Sequence, residues 1–188
     1  MKSTTLQKRQ SKPGYLYLKV YQYLMIIFDL NSKFCKIYLP SPEHQRTRDQ
    51  MFQAARSSKQ CVVEGYTQES LKGYIYLTGI AHGSNEELRE DYIDFLRQRE
   101  LTKWPKDHPK LGIKSWVSRA CRDIAEGNIP TYPTIPTDPE YAANVILDLS
   151  IKAGYMLKRL VESLKEKHKT EGGLTEKLYQ KRKDFRGY

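Results

Sequence analysis

The sequence predicts an all-α protein, specifically an antiparallel up-and-down four-helix bundle with an inserted short helix and a Pro-rich strap between helices three and four. Three observations support this class. Four long segments repeat apolar residues at helical spacing. Helix-starting and helix-stopping residues separate these segments. The first two connections are short, which favours antiparallel neighbours.

The first helix is expected over residues 14–38. Its apolar residues alternate between spacings of four and three, the heptad pattern of a bundle, at Leu16, Val20, Tyr23, Ile27, Leu30, Phe34 and Ile37. Leu24, Phe28 and Cys35 widen this stripe. We therefore expect the helix to bury against more than one neighbour.

The second and third helices have clear start and stop signals. Ser41 provides a cap and Pro42 a first helical residue for the second helix, which should end at a C-terminal cap, Gly65. The third helix should start near Thr67 and extend to about residue 101. The inward stripe of the second helix is Thr47, Met51, Ala54, Ser58 and Cys61, and that of the third is Leu71, Tyr74, Thr78, Ala81, Asn85, Leu88, Tyr92 and Phe95.

The facing stripes of these two helices are poor in bulky side chains. Each glycine inside a helix costs about 1 kcal/mol relative to alanine, so something must compensate. Close approach of two helix backbones is the expected reason, because small side chains let dispersion contacts form along the whole seam. The predicted packing positions are Ala54, Ala55, Ser58, Gly65, Gly79, Gly83 and Ser84.

Residues 102–137 interrupt the bundle pattern, and we interpret them as an insertion. It should contain a short helix over residues 109–126, closed by Gly127. Prolines then recur at every third residue, which favours an extended polyproline-II strap, at Pro130, Pro133, Pro136 and Pro139. The strap is either a stiff connector or a segment that binds aromatic-lined grooves on a partner.

Asp138 is followed by a proline and an acid, which predicts the start of the fourth helix. Its apolar residues line two faces: Ala142, Ile146, Leu149, Ala153, Met156, Leu160 and Leu164 on one, Leu147, Ile151, Leu157 and Val161 on the other. The pair Gly172-Gly173 should end the helix. The predicted organisation is a basic N-terminal arm over 1–13, the bundle over 14–169 and a basic C-terminal tail over 170–188, which forms either a short docking helix or a disordered arm.

The formal net charge of +10 is concentrated at the two ends of the chain. Residues 1–20 carry five bases and no acid, and residues 165–188 carry eight bases and four acids. Basic segments bind polyanions because they release condensed counterions, although basic ends can also serve solubility alone. The candidate nucleic-acid-binding residues are Lys8, Arg9, Lys12, Arg46, Arg48, Arg56, Lys59, Lys177, Lys181, Arg182, Lys183 and Arg186.

The sequence offers no constellation for catalysis, and we expect no enzymatic activity, no metal and no cofactor. No Gly-x-Ser-x-Gly motif or Gly-rich phosphate loop occurs, and the four histidines lie in separate segments. His82, Glu86 and Glu90 share a helix face, but pairing with Arg89 on that exposed face is favoured over a metal site. Three widely separated cysteines favour a reducing, cytoplasmic setting, and no apolar run is long enough for a membrane span.

The second and third helices resemble a known family, the four-helix bundle proteins encoded by 23S rRNA intervening sequences. That family shows Gln-x-x-x-Ala-Ala/Arg-x-x-Ser ending in Ala-Glu-Gly, then Ser-x-x-x-Tyr/Phe, then Ala-x-Gly-Ser-x-x-Glu-Leu. The counterparts here are residues 50–58, 63–65, 70–74 and 81–88. The resemblance covers about two thirds of the chain, and it does not extend to the 102–137 insertion or to the basic tail, which looks like the suffix seen on a subset of such bundles.

The resemblance implies an antiparallel bundle that assembles into a ring, commonly a homopentamer. It also implies kinship with the accessory variability determinant of diversity-generating retroelements, a basic pentamer that associates with a reverse transcriptase and its template RNA. The family has no active-site residues to transfer.

We therefore expect a non-enzymatic, self-associating scaffold that binds RNA or DNA through its basic termini, possesses no membrane partner and is accessory to a reverse transcriptase or another nucleic-acid enzyme. The alternative is a protein-protein adaptor with no nucleic-acid role, which would use the Pro-rich strap and the broad face of the first helix.

Overall fold

The computed structural model describes residues 12–112 and 114–187, and all the regular structure in these two ranges is helical. The prediction of an all-α protein is confirmed. The α-helices are α1 (Lys19–Tyr38), α2 (Gln45–Tyr66), α3 (Leu71–Gln98), α4 (Lys114–Ala125), α5 (Pro139–Glu171) and α6 (Leu174–Arg186). Short 3-10 helices occupy Gly14–Tyr17, Pro42–His44 and Pro109–Leu111.

Helices α1 to α5 pack together around one apolar core. Helix α1 contacts α2, α4 and α5, and α3 contacts α2 and α5. At one level of the core the fully buried Phe34 ring lies 5.0 Å from Tyr92 and 4.8 Å from Phe95, centroid to centroid, in edge-to-face geometry. Such aromatic contacts stabilise a core beyond their buried area alone.

Helix α1 is buried on several sides, as its broad apolar face predicts. Val20, Leu24, Ile27 and Phe34 are all buried. Ile37 is an exception, since 52% of it is exposed. The helical period of 3.6 residues drifts away from a strict heptad spacing, and the last member of the predicted stripe therefore leaves the core.

Helix α4 belongs to the core, which corrects the interpretation of residues 102–137 as an insertion outside the bundle pattern. Its inward residues Val117, Ala120, Cys121 and Ile124 are buried and join the same apolar cluster as α1. Gly127 closes this helix with a φ of 69°, as predicted. Five helices of the described residues thus pack together, where the sequence pattern indicated a bundle of four long helices with an inserted short one.

The connections at both ends of residues 102–137 are fixed to the body. Glu140 accepts hydrogen bonds from the Trp104 indole nitrogen at 2.7 Å and from the Thr102 backbone at 2.8 Å. In the Pro-rich strap, the Tyr132 hydroxyl donates to Asp29 Oδ2 at 2.6 Å and Ile135 is buried. The strap therefore packs against its own chain as a fixed connector.

The turn between α2 and α3 differs from the predicted one. Helix α2 continues through Gly65 to Tyr66, and its cap is Thr67, whose backbone N–H bonds to helix carbonyls. Ser70 caps α3 by accepting a hydrogen bond from Gly73 N at 3.1 Å. Gly65 as a cap and Thr67 as the start of the third helix were therefore wrong predictions, because Ser70 supplies the side-chain oxygen that satisfies the α3 terminus.

The seam between α2 and α3 does contain small residues in close contact. Ala54, Ala55, Ser58 and Ser84 are buried. The hydroxyls of Ser57 and Ser84 share a hydrogen bond of 2.9 Å across the seam. A methyl group at the buried Gly65 would lie 2.8 Å from the Tyr74 ring. This part of the packing prediction is supported by the geometry.

Gly79 and Gly83 do not belong to that seam. Both lie on the exposed side of α3, and an added methyl group at either one would meet no atom within 4 Å. Their prediction as packing positions between α2 and α3 is wrong, because the turn of the helix carries them away from α2 while Ser84 faces it. A packing glycine that the sequence pattern did not single out is Gly154 of α5, where a methyl group would lie 3.0 Å from Glu86 Oε1.

Candidate nucleic-acid interface

Of the three candidates near the N-terminus, two lie outside the described residues and the third contacts the body of the protein. Lys8 and Arg9 lie outside the described residues. The Lys12 ammonium donates to the Glu126 carbonyl, and its side chain lies beside Gly127. A cation at the C-terminal end of a helix such as α4 is favourable. Lys12 therefore fixes the N-terminal segment to α4.

The candidates in the first turns of α2 do not form a basic patch. Arg48 donates through Nη1 to the carbonyls of Leu39 and Ser41, the latter at 2.8 Å, and thereby holds the turn from α1 to α2. Arg46 is exposed, and the shallow cleft that it lines also contains Glu43 and Asp49. These carboxylates oppose the binding of a polyanion.

Lys59 lies beside an aromatic ring and one turn after Arg56, a combination that the sequence pattern did not reveal. The Lys59 ammonium lies 4.2 Å from the centroid of Phe28, which in turn lies 5.2 Å from the ring of Phe52. Arg56 is exposed on the same side of α2, one turn before Lys59. The only available signal was the spacing of Phe52, Arg56 and Lys59, which places them on one helix face.

Burial of Lys59 lowers the pKa of its ammonium group. Asp29 acts in the opposite direction, and Arg56 adds to the lowering. Desolvation disfavours the charged form of a lysine. An anionic ligand beside Arg56 would counteract that effect, so this patch is suited to accept negative charge.

Helix α6 carries the remaining candidates, and the structure leaves it exposed. None of its residues is buried, and the apolar side chains of Leu178, Tyr179 and Phe185 are 55%, 68% and 92% exposed. The helix holds five bases and two acids, counted from the sequence of Leu174–Arg186. Its bases are Lys177, Lys181, Arg182, Lys183 and Arg186, of which Lys177 also pairs with Glu171 at 3.4 Å.

The cleft between α2 and α3 is a surface that should repel nucleic acid. It has a volume of about 230 Å³ and is lined by Asp91 and Asp94. Burial is the main cause that raises the pKa of Asp91 to about 6, and the charges of Asp94 and Glu87 contribute less. The half-buried Asp91 carboxylate is unfavourable for phosphate groups, although Asp94 pairs with Arg97 and Arg99 also lines the cleft.

The His82, Glu86 and Glu90 group forms the surface pairs that the sequence predicts. Arg89 lies 2.6 Å from Glu86 and 3.3 Å from Glu90, and His82 lies 4.0 Å from Glu86. Across residues 12–112 and 114–187, no three His, Cys, Asp or Glu side chains are grouped so that they could hold a metal ion. No helix in those same ranges is both long and apolar enough to cross a membrane.

Comparison with known proteins adds no assignment to this geometry. No protein-family model matches the chain, and searches of curated proteins and of solved structures also find no match.

Proposed function

We propose that this protein is a non-enzymatic, self-associating helical scaffold that binds RNA or DNA through basic segments gathered at one end of the molecule. The observation that carries the proposal is the place at which these segments leave the helical body. No residue of α6 is buried, and Gly14 in the described N-terminal segment lies against Tyr66 at the C-terminal end of α2.

The finer architecture that we propose is an antiparallel up-and-down bundle of α1, α2, α3 and α5, with α4 packed on α1. Contacts between neighbouring helices support it. Asn31 Nδ2 donates to Met51 O at 3.1 Å between α1 and α2, and Asn85 Nδ2 donates to Ser150 O at 2.9 Å between α3 and α5. Short connections join α1 to α2 and α2 to α3, which favours antiparallel neighbours.

This arrangement brings the two basic ends of the chain together. Gly14 lies against the hydroxyl end of Tyr66, at the C-terminal end of α2. Because α5 runs opposite to α3 and Ser150 lies against Asn85, Leu164 is level with the start of α3. Both ends therefore leave the bundle where α2 ends and α3 begins. Lys59 lies two turns before that end of α2 and adds a positive charge near it, although Glu64 and Glu69 are exposed at the same end.

The exposed glycines of α3 support self-association. Gly79 and Gly83 each cost the helix about 1 kcal/mol, and a methyl group added at either would meet no atom of the described residues within 4 Å. Tyr76, on the same face, is 69% exposed. A helix from a second copy would provide the close contact that the single chain lacks. The resemblance to intervening-sequence bundles supports the same proposal and favours a pentamer.

The partner class follows from the same reasoning. A basic oligomer without catalytic residues can bring RNA or DNA to a nucleic-acid enzyme, and the resemblance points to a reverse transcriptase as one such enzyme. All three cysteines are buried and free, which agrees with the proposed reducing, cytoplasmic setting.

Salt dependence of binding tests the nucleic-acid part. We expect the affinity for a structured RNA, which contains single-stranded and duplex parts, to fall linearly with salt on logarithmic axes. Replacing Lys181, Arg182 and Lys183 by Gln should make the slope shallower by about 2 to 3. Gel-shift titration at rising salt measures both.

The matched control replaces three exposed lysines at the opposite end of the bundle, Lys36, Lys103 and Lys106, by Gln. It changes the net charge equally and should leave the slope unchanged. Binding that is insensitive to salt, or an equal effect of the two triple variants, would contradict the proposal.

A further inference from the structure

Helix α6 has one face, here called the mixed face, that combines apolar and basic side chains. Residues at i, i+4, i+7 and i+11 share a helix face, and in α6 these are Leu174, Leu178, Lys181 and Phe185. Tyr179, Arg182 and Arg186 border that face on one side. Rings and positive charges thus alternate over roughly half of the helix circumference.

The two acids of α6 lie outside this face, although Asp184 is the i+3 neighbour of Lys181, and both acids accept local hydrogen bonds. Glu176 accepts a hydrogen bond from the backbone N–H of Gly173, and Asp184 Oδ1 accepts one from Gln180 Nε2 at 2.8 Å. The mixed face therefore carries no acidic residue itself, and its charged members are all basic, while Asp184 borders it. It presents a surface complementary to a polyanion.

We infer that α6 binds single-stranded nucleic acid, with Tyr179 and Phe185 stacking on exposed bases while Lys181 and Arg182 contact phosphates. The inference rests on the proposed nucleic-acid binding and narrows it to one class of ligand. Single strands present base faces to aromatic side chains, and stacking on them tolerates any sequence. Bases in a duplex present only their edges in the grooves, so exposed rings gain little there.

The exposure of the helix supports the same conclusion. Phe185 is 92% exposed and Tyr179 is 68% exposed, so both rings are accessible to a ligand without rearrangement of the body. A helix of 13 residues that buries nothing is marginally stable by itself. Contact with a ligand along the mixed face would stabilise it.

A lipid surface fits this face less well. An interfacial helix needs a continuous apolar face that enters the acyl region. In α6, Lys181 lies between Leu178 and Phe185 on the face that would have to enter. Burying that ammonium in hydrocarbon is unfavourable.

The test compares the full-length protein with a variant carrying Tyr179→Ala and Phe185→Ala. The probes are a single-stranded RNA of about 20 nucleotides without self-complementarity and the same sequence as a duplex, measured by fluorescence anisotropy at several salt concentrations. We expect the unmodified protein to prefer the single strand. The double variant should bind the single strand roughly tenfold more weakly or worse, with an unchanged salt slope because the phosphate contacts remain.

Ile129→Ala with Tyr155→Ala is the matched control, since these side chains are 92% and 66% exposed on other parts of the molecule. It should leave the affinity unchanged. Equal affinity for single strand and duplex, or an equal loss in the control, overturns the inference and leaves salt-dependent binding intact. Absence of salt-dependent binding to either RNA overturns the proposed function as well. Binding to phosphatidylserine vesicles in place of RNA assigns α6 to lipid and overturns both.

Discussion

Asp91 shows at the scale of one residue how the fold places charge in an unfavourable position. It lies half-buried on α3 beside two further carboxylates, Glu87 and Asp94. Asp94 pairs with Arg97 at 2.8 Å. Burial and the two neighbouring charges together raise the pKa of Asp91 to about 6.

This raised pKa predicts a pH-dependent loss of stability. The folded state holds the Asp91 proton more tightly than the unfolded state, so stability falls as pH rises from about 4 to about 6 and stays lower above that. Asp91→Asn removes the charge and should increase the free energy of unfolding at pH 7.5 by about 1 kcal/mol, after discounting for solvent screening. The difference should disappear towards pH 4.

Urea denaturation across this pH range measures the effect. Asp107→Asn, at an exposed carboxylate in the connection after α3, is the control and should give no such pH profile. A constant difference between Asp91→Asn and the unmodified protein at all pH values would contradict the explanation.

At the scale of the element, α2 and α3 contain glycines in opposite situations. Gly65 is buried, and a methyl group there would lie 2.8 Å from the Tyr74 ring and 3.3 Å from Leu77 Cβ. Gly83 faces open space. The same substitution should therefore have opposite effects on stability at the two positions.

Gly65→Ala should destabilise the protein by about 1–3 kcal/mol because it overpacks the seam. Gly83→Ala should stabilise an isolated chain by about 1 kcal/mol, since alanine is the better helix former and meets no obstacle. Urea unfolding followed by circular dichroism, at a protein concentration low enough to dissociate oligomers, measures both. Effects of the same sign would show that the packing at one of these positions differs from the structure described.

Features that depend on residues close in the chain could be predicted from sequence, whereas features that depend on distant contacts could not. Asp138 caps α5 through a bond to Glu140 N at 2.9 Å, as predicted, because a cap depends on residues close in the chain. Whether Gly83 faces the seam or solvent depends on how the neighbouring helices surround α3. The sequence pattern does not show this, and the prediction that Gly83 lies in the seam was therefore wrong. Lys12 likewise contacts a carbonyl far along the chain, which no local pattern indicates.

The same distinction applies to the candidate interface. The basic character of α6 and the helix break before it were predictable from local features, whereas the sequence left open whether this tail forms a docking helix or a disordered arm. The patch of Phe28, Phe52 and Lys59 was not, because it joins side chains from α1 and α2 across a helix pair. The contribution of residues 102–137 to the core was missed for a related reason, because α4 is short and its contact with α1 joins distant parts of the chain.

At the scale of the whole molecule, the charges and the exposed small residues lie on different surfaces. The basic segments extend from one end in the proposed arrangement, whereas Gly79 and Gly83 lie along the exposed side of α3. Assembly through α3 would therefore leave α6 of each copy accessible. Several copies held together would present several basic helices to one nucleic acid, which increases the overall affinity without any new contact.

Self-association through α3 predicts that bulky side chains on that face separate the copies. Gly79→Arg with Gly83→Arg should convert the oligomer into monomers, because two long, charged side chains prevent close approach of a second helix. Arginine is a better helix former than glycine, so the chain itself should remain folded. Native mass spectrometry measures the number of subunits, and circular dichroism confirms the fold.

Ser115→Arg on the exposed side of α4 is the control and should keep the oligomer. A monomeric unmodified protein, or an unchanged mass in the double variant, would rule out this interface.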